Sequence, residues 1–166
     1  LRKSFDNTEV LKGISTTLET GKVNLVIGQS GSGKTVFLKS LLNVYEPSEG
    51  HILFDGRDIV GMGRKEKEQL RSEIGTVFQG SALFDSMTVQ DNIMFPLDMF
   101  TNLTFTEKKK RVREVMGRVH LENAEKKFPS EISREKKKRV AIARAIVNNP
   151  KYLFCDEPNS GLDPKT

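Results

Sequence analysis

Short apolar runs that stop at glycine alternate along this chain with longer stretches in which apolar residues recur at helical spacing. Val23 to Ile27 is the first such run, rich in β-branched residues and ending at Gly28. From Gly33 onward the period changes, and Val36, Phe37, Leu38, Leu41 and Leu42 carry a helical pattern. A strand, a glycine loop and a helix are predicted. Pro47-Ser48-Glu49-Gly50 has turn chemistry, and the runs His51 to Phe54 and Arg57 to Ile59 flank Asp55-Gly56, the composition of a tight hairpin turn. Residues 64–73 are strongly charged around Leu70 and read as an exposed helix. Gly75 to Phe78 reads as another short strand, ending in the loop Gln79-Gly80-Ser81.

From Val89 the helical period takes over. Thr106 is the expected N-cap of a helix from Glu107 to His120, with Val112, Val115, Met116 and Val119 on one buried face and the lysines opposite. A second helix from about Ser133 to Asn148 turns Val140, Ala143, Ile146 and Val147 inward. Pro150 punctuates it before the apolar strand Tyr152 to Cys155. The middle of the chain is therefore a helical insertion between two strands of one sheet. The expected fold class is α/β, with a core sheet around Val23 to Ile27, Thr76 to Phe78 and Tyr152 to Cys155. A small antiparallel β region and a helical subdomain complete it. Residues 1–85 and 149–166 form the core and β region, and 86–148 the helical subdomain, of one partial domain.

Gly28-Gln29-Ser30-Gly31-Ser32-Gly33-Lys34-Thr35 fits the phosphate-loop pattern G-x-x-x-x-G-K-[ST] in full, with the predicted strand before it and helix after it. Glycines let backbone N–H groups converge on phosphate oxygens, and the helix N-terminus adds a favourable dipole. Lys34 reaches the β and γ phosphates, and the Thr35 hydroxyl ligates Mg²⁺. Gly28 to Thr35, with Val36 in the first helical turn, are the nucleotide-binding candidates, which implies ATP and Mg²⁺ and a P-loop NTPase core. The strand Tyr152 to Cys155 ends in Asp156 and Glu157. If it runs parallel beside the loop's strand, Asp156 falls at the edge where it holds the Mg²⁺ shell. Glu157, one residue on, faces the γ-phosphate side, where a carboxylate polarises an attacking water.

Composition narrows the setting. With 36% hydrophobic and 30% charged residues, the chain has the balance of a soluble domain, and no run nears the roughly 18 apolar residues that cross a bilayer. A single cysteine, Cys155, excludes an internal disulfide framework, and no secretory segment opens the chain. A cytoplasmic location is expected. Cys155 itself reads as a buried, inert thiol. The net charge of +5 suits a nucleotide, anionic lipid or nucleic acid alike. The cationic runs Lys108 to Arg113 and Lys136 to Arg139 fall on polar helix faces and read as solvated, so nucleic acid is not the expected partner. His51 and His120 lack ligand spacing.

In this order the motifs resemble the ATP-binding cassette (ABC) ATPases, from Phe5 to the last residue. The resemblance implies that Phe5 stacks on adenine and that Gln79 links Mg²⁺ to a transmembrane partner, serving both catalysis and metal binding. It also makes Ser160-Gly161-Leu162-Asp163 the D-loop. Gly80-Ser81-Ala82-Leu83-Phe84-Asp85-Ser86-Met87-Thr88-Val89, continuing to Asn92-Ile93-Met94-Phe95-Pro96-Leu97, is most similar to the cassette subunit of the Mla, MCE-associated phospholipid transporters. A transmembrane permease, a second identical ATPase subunit closing head to tail around two ATP molecules, and a peripheral seat on the inner face of the cell membrane follow from the resemblance. So does ATP hydrolysis coupled to lipid movement across the cell envelope.

Two departures from the family pattern stand out. Pro129 to Ser133 leads into Lys137-Lys138-Arg139-Val140-Ala141, similar to the family's signature helix, but the two glycines expected after Ser133 are Arg134 and Glu135. The family's Ser133-type turn brings backbone N–H groups close to the partner's γ-phosphate, and side chains on both residues obstruct that approach. The chain also stops at Thr166, just after the D-loop, without the family's switch histidine, as in a cassette truncated at its C-terminus. The 166-residue chain is expected to show little steady-state turnover. Rival readings are an ATP-binding interaction subunit with little hydrolysis, and a soluble cassette ATPase acting on nucleic acid.

Overall fold

The computed structural model describes residues 1–6 and 8–158, in five α-helices, six strands and one short 3₁₀ helix, Pro129–Glu131. Two strands, β1 (Arg2–Phe5) and β2 (Thr8–Lys12), open the chain as an antiparallel pair with a register shift between Lys3 and Ser4. Helix α1 (Lys34–Leu41) follows, then the two-residue strands β3 (Leu53–Phe54) and β4 (Arg57–Asp58). Asp55 and Gly56 both adopt positive φ, 47° and 79°, as the primed turn of a two-residue hairpin demands. The hairpin read from Asp55-Gly56 is present. After α2 (Arg64–Ser72) come β5 (Ile74–Val77), α3 (Val89–Phe100), α4 (Phe105–Arg118), α5 (Arg134–Ile146) and β6 (Tyr152–Cys155).

The residues group into two units, Leu1–Lys67 and Glu68 onward. In the first, Leu11, Phe37, Ile52, Phe54 and Ile59 are buried. Val23 to Ile27, expected as a core strand, is not one. Among the described residues no strand pairs with it, and Val23, Leu25 and Ile27 are 97%, 81% and 82% exposed. An unbroken apolar run becomes a strand only where neighbouring strands satisfy its backbone and layers cover both faces. Here it has neither.

In the second unit, β5 and β6 pair in parallel, Ile74 opposite Tyr152 through Val77 opposite Cys155. Helices α3, α4 and α5 enclose a buried cluster that includes Ile93, Leu97, Val112, Val115, Val140 and Val147, each contributing roughly 1.5–3 kcal/mol by leaving water. The inward face predicted for 107–120 is present, with Val119 only partly buried. Its cap is not Thr106 but Thr104, two residues earlier. The Thr104 hydroxyl accepts from Glu107 N–H at 3.4 Å, and the Glu107 carboxylate accepts from Thr104 N–H at 2.7 Å. This reciprocal box admits Phe105 and Thr106 to the first turn, and the Thr104 hydroxyl, donating to the Glu107 carboxylate at 2.6 Å, together with the Thr104 N–H holds that carboxyl below its usual range.

A second buried cluster joins α5 to the sheet: Ala141 and Ala145 lie against Val77 of β5. The approach is so close that a Cβ on Gly75 would stand 2.2 Å from the Ala145 carbonyl oxygen. Only glycine fits there. The helical stretch 86–148 and the β5–β6 pair consequently fall in one unit. Cys155, expected to be buried, is exposed, because among the described residues β6 pairs with β5 alone and its alternate residues Leu153 and Cys155 lie uncovered. Partial burial raises the thiol pKa above its ordinary value.

Candidate functional site

In the first unit, the glycine-rich loop ends at Gly33, which caps α1 from the left-handed region at φ 94° and offers no side chain. A Cβ on Gly33 would stand 3.2 Å from Leu11 Cδ2 and 3.3 Å from Val10 Cγ1, so the loop is pressed against β2. With no side-chain cap, the first-turn N–H groups of Lys34, Thr35 and Val36 have no partner within their own helix, the arrangement that receives anions. Intrahelical bonding begins with Phe37 N–H to Gly33 O at 2.8 Å. Lys34 Nζ spans the loop, donating to the Gly28 and Gln29 carbonyls at 2.8 and 2.9 Å. Gln29 O also accepts from Ser32 N–H at 3.2 Å. Ser30, Gly31 and Thr35 are exposed and Val36 is half-buried. Phe5 sits at the end of β1, half-covered by an edge-on contact with Tyr45 at 5.1 Å, with Lys3 Nζ 5.0 Å from its ring centre.

In the second unit, the parallel register carries the ends of β5 and β6 to one edge. Asp156 N–H donates to Val77 O at 2.8 Å, and Gln79 Nε2 donates to Glu157 Oε2 at 2.8 Å across 78 residues of sequence. Gln79, Asp156 and Glu157 are thereby gathered at the carboxyl end of the two strands. Glu157 has φ 46°, a left-handed conformation that costs a side-chain-bearing residue about 1–2 kcal/mol. Such strain persists only where neighbours fix it. Gln79 spends its amide N–H on Glu157, which leaves its carbonyl oxygen as a donor for a cation.

Beside Gln79 the chain is pinned from below. Arg144 of α5 donates to the Ser81 and Ala82 carbonyls, both at 2.8 Å, and lies 6.0 Å from the Phe84 ring. Partial burial lowers its pKa from the usual arginine value. Asn92, fully buried, accepts from Phe84 N–H at 2.8 Å and donates to the Phe84, Met87 and Thr88 carbonyls at 3.0–3.1 Å. These two residues fix one wall of an apolar groove of about 280 Å³ lined by Phe78, Ala82, Phe84, Phe95, Pro96 and Met99. Neither stood out in the sequence as more than part of a helix. A polar residue at a core position, as Asn92 is between Val89 and Ile93, was the available signal.

Ser133 caps α5, its hydroxyl accepting from Lys136 N–H at 3.3 Å. Arg134 is exposed in the first turn, and Glu135 turns along the helix to pair with Arg139. Lys138 departs from the solvated face expected for 136–139: it is 7% exposed and its Nζ donates to the Pro158 carbonyl at 3.2 Å. His51 pairs with Asp58 at 2.6 Å, which lowers the Asp58 pKa, and His120 is exposed. Ser160 to Asp163 lie outside the described residues. Among the described residues no group of three His, Cys, Asp or Glu side chains gathers as a metal cluster. In the second unit the Gln79 amide and the Asp156 carboxylate offer hard oxygen donors at one strand edge, and in the first unit the Thr35 hydroxyl offers another, each of the kind that suits Mg²⁺.

Comparison with known proteins places these features. The family model for ABC transporters matches residues 11–160, nine-tenths of the chain. The chain belongs to the ABC transporter family. As an ABC cassette it is 43% identical over 164 residues to mkl of Mycobacterium tuberculosis, named a probable ribonucleotide transport ATP-binding protein, covering 99% of this chain and 46% of that one. It is 40% identical over 170 residues to the methionine import ATP-binding protein MetN of Corynebacterium diphtheriae, covering 100% and 50%. The cassette thus spans about half the length of the curated relatives it matches. The dimeric structure of the bacterial ABC transporter cassette MJ0796 superimposes with a TM-score of 0.89 at 29% identity, over 99% of this chain and 73% of that one. The α/β P-loop fold expected from the motifs is the fold of this ABC cassette.

Proposed function

We propose that this cassette hydrolyses ATP to energise a transmembrane permease. The observation that carries the reading is the meeting of Gln79 with Glu157 at the ends of two parallel strands, in a chain that also holds a complete phosphate loop. Gly28 to Gly33 and the first turn of α1 bind the phosphates, and Lys34 supplies the mobile cation. Phe5 offers its ring to adenine. Thr35, Asp156 and the Gln79 carbonyl hold Mg²⁺, which when bound spreads the negative charge of the phosphates. Glu157, oriented by Gln79, accepts the proton of the attacking water.

The apolar groove beside Gln79 is the proposed permease seat, reached from the catalytic edge through residues 79–84. No helix among the described residues is long and apolar enough to cross a membrane, and the permease is what holds the cassette at the inner face of the cell membrane. Replacing Leu83 and Phe84 with serine is expected to release the permease from the full-length protein while ATP affinity stays within about twofold. Pull-down of the permease with the wild type and the double variant measures this, and undiminished capture puts the seat elsewhere. The cargo we propose is phospholipid, on the resemblance of 80–97 to the Mla-type cassettes. A lipid-exchange assay run beside ribonucleotide and methionine uptake tests it, and uptake without lipid exchange overturns it.

A second reading, an ATP-binding subunit with little hydrolysis, is favoured by one feature, the side chains of Arg134 and Glu135 in the first turn of α5. A homodimer closing head to tail would bring this turn toward the partner's γ-phosphate. The Glu135–Arg139 pair tempers the carboxylate's charge, which leaves bulk as the larger obstacle. Arg134→Gly with Glu135→Gly in the full-length protein is expected to raise turnover about tenfold, roughly 1.4 kcal/mol of transition-state stabilisation. Equal steady-state rates with and without the glycines show that the turn does not limit catalysis.

A further inference from the structure

Helix α5 buries two faces. One, with Val140, Ala143 and Val147, lies in the helical cluster, and the other, with Ala141 and Ala145, lies against Val77. Lys138 stands three residues before Ala141 and seven before Ala145, at the spacing of the second face. The small alanines let the helix approach the strand, and Lys138 continues their row to the carboxyl edge of the sheet. There its ammonium, in a residue 7% exposed, donates to Pro158 O. A buried cation is retained where its hydrogen bonds are satisfied, and one of those of Lys138 goes to the residue that follows Glu157.

We propose that Lys138 is a positioning residue for Glu157. Glu157 is held in its left-handed conformation from both sides. Asp156 N–H is tied to Val77 O before it, and Pro158 O is tied to Lys138 after it. With the backbone fixed at both ends, the carboxylate meets Gln79 Nε2 and faces one direction. Loss of the Lys138 tether frees Pro158 and lets Glu157 relax toward ordinary φ values, which turns the carboxylate away. The nucleotide contacts lie on the phosphate loop and are not part of this chain of bonds. The proposal rests on the reading of Glu157 as the group that activates water.

The test uses the full-length protein and single-turnover hydrolysis of radiolabelled ATP, with ATP affinity measured separately. Lys138→Met, close in volume but without a donor, is expected to slow hydrolysis about tenfold and to leave ATP affinity within about twofold. Lys138→Arg keeps a cationic donor and is expected to restore most of the rate. In a Glu157→Gln background, Lys138→Met is expected to add no further loss, because both changes act on one group. Lys138→Gln gives the same comparison should the methionine variant unfold. An unchanged rate in Lys138→Met beside a slow Glu157→Gln overturns the proposal alone, as does a loss that multiplies in full in the double variant. A wild-type rate for Glu157→Gln overturns the water-activation reading and the proposal with it.

Discussion

Lys34→Ala is expected to abolish ATP binding or turnover. Within Gly28 to Thr35 no other side chain is cationic, and the Lys34 ammonium already reaches across the loop to Gly28 O and Gln29 O. A flexible stem with a compact charge can leave those carbonyls for phosphate oxygens with little change in the loop. Each charge-assisted hydrogen bond contributes about 1.5–3 kcal/mol, so losing one to each of the β and γ phosphates weakens binding by roughly 10²- to 10⁴-fold. Calorimetric titration with Mg²⁺ and ATP measures the loss directly. The backbone donors of the loop and of α1 remain in the variant, so a triphosphate retains residual contacts but not the neutralising charge. Unchanged affinity together with unchanged hydrolysis would remove the phosphate-loop assignment.

Glu157→Gln separates binding from chemistry. The substituted amide has the shape of the carboxylate, and its oxygen can still accept from Gln79 Nε2, so the edge formed by β5 and β6 keeps its geometry. What disappears is the ability to take a proton from water. Retained ATP affinity with turnover reduced by about 10²-fold or more is the expected result, on the scale of general-base catalysis. A wild-type rate would show that another group polarises the water. Asp156, next to it in sequence, is not equivalent, because it is the Glu157 carboxylate that Gln79 Nε2 engages.

The helices were legible because their signals are local. The apolar spacing of Val112, Val115 and Met116 placed α4, and the missed cap at Thr104 shows how a capping box outranks a nearer threonine: Glu107 lies three residues after Thr104, the reach the box requires. The Asp55-Gly56 hairpin was legible for the same reason. Tyr152 to Cys155 and the acids that follow were found from the run alone, but their meeting with Gln79 depends on a parallel register that no local pattern encodes. Val23 to Ile27 failed in the opposite sense, since its apolar run is as β-rich as any in the chain, yet among the described residues it has neither a paired strand nor a layer over its faces. Lys138 was hidden inside a cationic run. Its burial follows from a second packed face on α5, visible only when Ala141 and Ala145 are read as contacts rather than as helix formers.

Single-turnover hydrolysis by the full-length protein tests the central claim most directly, because it asks whether ATP held on the phosphate loop is cleaved at the edge that carries Glu157. With enzyme in excess over radiolabelled ATP, the wild type is expected to convert bound ATP to ADP and phosphate, and Glu157→Gln to hold it uncleaved. Binding by the wild type without conversion would contradict the account and leave a nucleotide-binding subunit in place of an ATPase.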